Sequence, residues 1–162
     1  MAINNNETLN HNNTLNQFRD FLPWVEELRG IDDELWLKPI ASGKWAIREI
    51  LTHIMSWDKN SLEVMVPNMV EGASLFFVDI QKHNDDAAIF AQSYTSLNSL
   101  LDDLVKARLQ LLELLEEKYN ESTKFKIDND EFTFHKFVHI FIHHDEHHKA
   151  QIVDFLDVYK NK

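Results

Sequence analysis

Apolar residues recur along most of this chain at intervals of three and four, the spacing that gathers side chains on one face of an α-helix. Over residues 14–29 they are Leu15, Phe18, Phe21, Leu22, Val25 and Leu28, and Gly30 supplies the stop. Pro23 falls inside that run, so a kink or two shorter pieces are expected. A connector with Pro39 and Gly43 follows. The spacing then predicts a second helix over 44–66, with Ile47, Ile50, Leu51, Ile54 and Leu62 on one broad face and Pro67 and Gly72 closing it. Residues 73–84 carry no clear period and read as a loop crossing the molecule, with a short helix beginning near Asn84.

The pattern is firmest over 95–119, where Leu97, Leu101, Leu104, Leu111 and Leu115 repeat between charged positions. The connector NESTKFKIDNDEF contains KFKID, which suits extended chain but has no evident partner strand. A last helix is expected from Glu131 or Phe132 to about Val158. Four main helices with mostly short connections predict an all-α protein, an antiparallel four-helix bundle. The expected organisation is a flexible polar N-terminal arm over 1–12 and a single bundle domain over 13–160.

The last helix carries unusual chemistry on its predicted buried side. At about 100° per residue, Phe137, Phe141, Ile152 and Phe155 fall within roughly 60° of one another. His144 and His148 lie in or beside that sector, at positions where apolar residues are expected. His135, His139 and His143 point elsewhere, and His147 lies off the edge of the stripe. Burying two uncompensated imidazoles is costly. Two histidines four apart on one helical face can instead share one metal ion. The zincin pattern is not met: Asp145 stands where a zincin has Glu, and no histidine follows His148. A third ligand must come from upstream, and His53, on the shoulder of the second helix's apolar face, is the candidate. Three histidines with open positions make a catalytic rather than a closed structural site. Close by along the helix, Asp145 and Gln151 are candidates for orienting an imidazole or a bound water. Trp57 and Asp58 are candidates for lining the opening. His11, His83 and the outward histidines are read as ordinary polar residues.

Composition removes several alternatives. The chain has 162 residues, 44% hydrophobic, enough to bury a core. Only three Gly and three Pro disfavour an all-β fold with many tight turns. With 16 basic against 27 acidic residues, the net charge is -11, a field that repels phosphate backbones, so nucleic acid is not an expected partner. There is no cysteine, so thiolate ligands and a cysteine nucleophile are excluded, and any thiol in a reaction must be a small molecule. No apolar run reaches a membrane span and no signal-peptide pattern opens the chain, so a cytoplasmic location is expected.

Two stretches are similar to a known family. KWAIREILTHIMSWD resembles the signature of the DinB/YfiT-like family in which a Trp precedes an amphipathic helix carrying one His and then a Trp-acidic pair. HHDEHHKAQI resembles its closing signature, His-Asp/Glu-x-x-His-x-x-Gln-Ile. The resemblance covers residues 14–157 and implies a four-helix bundle, commonly a homodimer, with a divalent ion such as zinc or nickel on His53, His144 and His148. It further implies a small-molecule substrate and either S-transfer with a bacillithiol-type thiol or hydrolysis. The alternative is a non-catalytic, stress-related bundle that binds metal or ligand. The surplus of neighbouring histidines leaves His143 and His147 as an alternative register.

Overall fold

The computed structural model describes residues 5–160, which form helices with one small sheet. Helix α1 (Asn5–Arg19) and helix α2 (Phe21–Glu27) are the two pieces announced by Pro23, separated at Asp20 and extended by a 3-10 turn that ends at Gly30. Leu15, Phe18, Leu22, Val25 and Leu28 of this run are all buried. The helix begins well before Thr14. Residues 5–12 of the expected flexible arm are helical, and residues 1–4 lie outside the described residues. His11 stacks on Tyr119 with ring centroids 4.3 Å apart, which ties the early turns of α1 to the end of the third long helix.

Helix α3 (Ile47–Asn60) starts three residues later than the periodicity predicts. Gly43, at φ +72, turns the chain back so that Ile40 N–H donates to the Trp45 carbonyl at 3.0 Å, and Ala46, bridged to Pro39, is held extended ahead of the helix. Past Asn60 the helix loosens into a π-helical turn (Ser61–Met65) and a 3-10 turn (Val66–Asn68) containing Pro67. The stretch expected to cross the molecule as a loop contains strand β1 (Ser74–Leu75) and then helix α4 (Ile80–Ala91), capped by the Asp79 carboxylate, which accepts from Lys82 N–H at 2.9 Å. Helix α5 (Leu97–Lys118) matches its prediction, with Ser96 as the cap.

The extended chain predicted at KFKID does find partners. Strand β2 (Phe125–Ile127) pairs antiparallel with β3 (Asp130–Phe132) and parallel with β1. Asp128 and Asn129, at φ 53 and φ 70, make the two-residue turn between them, a conformation these side chains tolerate. Because residues 130–132 pair in β3, helix α6 (Phe134–Lys160) starts at Phe134 rather than at 131 or 132. The Thr133 hydroxyl accepts from Lys136 N–H at 3.2 Å and fixes that start.

Helices α1, α3, α5 and α6 form the four-helix bundle. Its apolar core is in two clusters. One joins Phe125, Phe134, Phe137 and Phe141 to Leu111, Leu115 and Met65; the other joins Trp36, Ile47, Leu51 and Ile54 to Leu100, Leu104, Ile152 and Phe155. Between the two clusters α5 places Arg108 and α6 places His144, Asp145 and His148. That middle layer holds the site. Among the described residues, no helix is long and apolar enough to cross a membrane.

Candidate metal centre

Helix α3 carries His53 and α6 carries His144 and His148, and the three imidazoles meet edge to edge in the middle layer. His53 Nε2 lies 2.9 Å from His144 Nε2, and His148 Nε2 lies 3.2 Å from that same atom. Their ligand nitrogens all fall within 4.8 Å of one another. Hydrogen bonds among themselves satisfy this arrangement poorly, because the one proton or lone pair on His144 Nε2 would have to be shared between two neighbours. A neutral imidazole nitrogen bears either a proton or an in-plane lone pair, so His144 Nε2 cannot donate to one neighbour and accept from the other. One cation facing three lone pairs does satisfy it. Two nitrogens each about 2.05 Å from a tetrahedral zinc lie about 3.3 Å apart, close to the 2.9 and 3.2 Å found on either side of His144 Nε2. The residues present fit a divalent ion.

The electrostatics favour the same state. Burial pushes the His53 imidazole down to about 4, helped by His148 and opposed by a hydrogen bond with Asn84. Burial, then the neighbouring His148 and His53, push His144 down to about 3. His148 is lowered by burial, with Gln151 pulling the other way. All three therefore present lone pairs at neutral pH.

Gln151 stands where it can orient an imidazole. Its Oε1 lies 2.8 Å from His148 Nδ1, and a carbonyl oxygen can only accept, so the proton sits on Nδ1 and the Nε2 lone pair is left for the cluster. Asp145 does not touch an imidazole. Both of its oxygens accept from Arg108, at 2.8 and 2.9 Å, and Arg108 also donates to both oxygens of Asp58 and to the Phe18 carbonyl. The guanidinium is 1% exposed and lies over the Phe18 ring at 4.0 Å. Burial raises both carboxyls above their ordinary range, Asp145 to about 6, while the guanidinium opposes the rise. Asp58, expected at the opening, is therefore a core residue, because α3 turns it onto Arg108. This ion triad ties α1, α3, α5 and α6 together one helical turn or so from His53 and directly beside His144. Arg108 was missed by sequence reasoning. Its signal was there: it occupies the place between Leu104 and Leu111 where the leucine stripe of α5 calls for an apolar residue.

The other histidines stay apart. His135, His139 and His143 run up the outer face of α6, and His135 Nδ1 lies 3.2 Å from the Thr14 hydroxyl. His83 pairs with the Ser56 hydroxyl at 3.0 Å and packs on Trp57. His143 and His147, the alternative register, do not reach His53; they are exposed at the rim of a cavity of about 660 Å³ that opens onto the three-histidine group. Trp57 lines this cavity as expected, together with Trp45, Phe77 and Phe141.

A family model described as the DinB superfamily matches residues 16–152. No curated protein matches the chain. Among solved structures, YfiT from Bacillus subtilis, described as a probable metal-dependent hydrolase with an unusual four-helix bundle topology, is similar with a TM-score of 0.70 and 16% identity. The match covers 98% of this chain and 91% of that one. At that identity the likeness concerns the fold.

Proposed function

The chain belongs to the DinB superfamily, and from that premise we propose that it is a metal-dependent enzyme acting on a small molecule, with a divalent ion, zinc or nickel, on His53, His144 and His148. The observation that carries this reading is the close approach of three imidazoles in the wall of a cavity, with His53 Nε2 and His148 Nε2 at 2.9 and 3.2 Å from His144 Nε2. When bound there, the ion supplies Lewis-acid chemistry, lowering the pKa of water or of a thiol toward neutrality. Water leads to hydrolysis. A low-molecular-weight thiol of the bacillithiol type leads to S-transfer, and in a chain without cysteine that thiol has to be a co-substrate.

The protein's own groups do the rest. Gln151 holds His148 in the tautomer that leaves Nε2 free. Arg108, gripping Asp58 and Asp145, sets the spacing of α3 and α6 and so the approach of His53 to His144. Trp45, Trp57 and Phe141 wall the cavity and limit the water that reaches it. Two consequences can be measured. Gln151→Ala is expected to weaken metal binding by about 10–100-fold with the fold intact, read by competition with a chromogenic chelator. Because all three imidazole pKa values are lowered from 6.5, the metal should stay bound as pH falls through 6.5 and leave only well below it. A pH titration of metal release checks this; release centred at or above 6.5 would contradict it.

The function itself is tested by assaying metal-loaded protein on a panel of aryl esters, and on aryl halides with small thiols. Turnover that depends on the ion and disappears in His53→Ala supports the proposal. Equal turnover by metal-free protein would contradict a role for the ion, and no turnover on any substrate of either panel favours a non-catalytic metal-binding bundle.

A further inference from the structure

The cavity beside the three histidines is large enough for a drug-sized molecule, at about 660 Å³. Its wall has an unusual chemistry for an enzyme of small polar metabolites. Apart from histidines, its lining is Trp45, Trp57, Phe77, Ile80, Ile140 and Phe141, with one amide, Asn84. The Asn84 carbonyl oxygen already accepts from Trp57 Nε1 at 3.2 Å. No Lys, Arg, Asp or Glu lines it among the described residues. Cations on the flanking helices are engaged elsewhere: Arg48 with Glu49, Lys82 with Asp86, Lys59 over the Phe90 ring, Lys136 over the Phe132 ring and Lys149 over the Trp24 ring. Two aliphatic side chains stand at the mouth with their surfaces open to solvent, Ile80 at 59% and Ile140 at 39% exposed.

A carboxylate or phosphate entering this space would lose its hydration and meet no fixed positive side chain, and the net charge of -11 would oppose its approach. An uncharged aromatic or branched aliphatic group meets the opposite situation. It would displace water from the indole and phenyl faces and stack against them. We propose that the wall of this cavity beyond the three histidines takes a neutral, apolar group of aromatic size, and that with no ion on those histidines the cavity prefers an uncharged molecule to an anionic one because no Lys or Arg lines it. This deepens the enzymatic reading and rests on it for one point only, that the molecule's electrophilic carbon sits at the histidine end. Binding itself requires no metal.

The experiment compares 2-naphthol with 2-naphthoate, an uncharged and an anionic ligand of nearly equal size, by calorimetric titration into the full chain at neutral pH. It is run on metal-free protein so that the ion cannot attract the carboxylate. The neutral ligand is expected to bind at least about tenfold more tightly, a difference of about 1.4 kcal/mol. Phe77→Ala, which removes a half-buried wall residue, should weaken 2-naphthol several-fold. Ile140→Lys, an exposed change at the rim, should narrow or reverse the preference. Equal or tighter binding of the anion, no binding of either, or binding that neither variant alters would overturn the inference. The two readings fail separately. Selective naphthol binding by a protein that takes up no metal keeps this inference and removes the metalloenzyme, whereas metal uptake without naphthol binding does the reverse.

Discussion

Arg108→Ala should cost about 3–5 kcal/mol of folding stability, the usual consequence of removing one partner from a buried ion group. The guanidinium is fully enclosed and serves two carboxylates that are 2% and 4% exposed, so the substitution leaves two like charges in the core with no counter-ion. It also leaves the Phe18 carbonyl without its donor and opens a void between the Phe18 and Phe21 rings. Domain stabilities are commonly about 5–15 kcal/mol, so the variant should be marginal. Its pH dependence has a definite sign. With the guanidinium gone, both carboxyls favour the protonated form in the fold more strongly than in the unfolded chain, so the deficit should shrink as pH falls and grow as pH rises. Replacing the whole triad by Asp58→Leu, Arg108→Met and Asp145→Leu should recover most of the loss, because an apolar set needs no counter-ion. Urea unfolding across pH reads all of this. A deficit under about 1 kcal/mol for Arg108→Ala would mean the triad is not the brace described.

The second large effect is on metal. His144 Nε2 is the atom to which both other imidazoles are closest. His144→Ala should lower divalent-ion affinity by more than about 100-fold, beyond the about 10–100-fold expected for a supporting residue such as Gln151. Stability of the metal-free protein should not fall in proportion, since the substitution removes a half-buried polar group whose charging the fold opposes. The outer-face His139→Ala is the matched control and should leave tight binding unchanged. A His144→Ala protein that keeps wild-type affinity would contradict the assignment of ligands.

Much of this arrangement was readable from residue spacing because helices transmit geometry so directly. A turn of 100° per residue placed His144 and His148 in line with Phe141 and Ile152 and set His143 and His147 aside, and the folded chain has the same division. His53 could be placed on the right helix by the same arithmetic. What spacing could not reach was contact across helices. From their own helices alone Asp58 is expected at the rim and Asp145 beside an imidazole, whereas both belong to Arg108, which lies 50 and 37 positions away. The sheet was only half legible for a related reason. Strands of two or three residues carry too little alternation to announce a partner, and β1 pairs with a strand some fifty residues later. The cavity's chemistry is likewise hidden, because Trp45, Phe77 with Ile80, and Phe141 come from three separate stretches of the chain.

The central claim is that three histidines hold one ion, and elemental analysis of protein purified without an affinity tag tests it most directly. Wild type, after equilibration with zinc or nickel and removal of loosely bound ion, should contain about one divalent ion per chain, lost in both His53→Ala and His144→Ala and kept in His139→Ala. Wild type with no retained metal, or equal retention in all four proteins, would contradict the account.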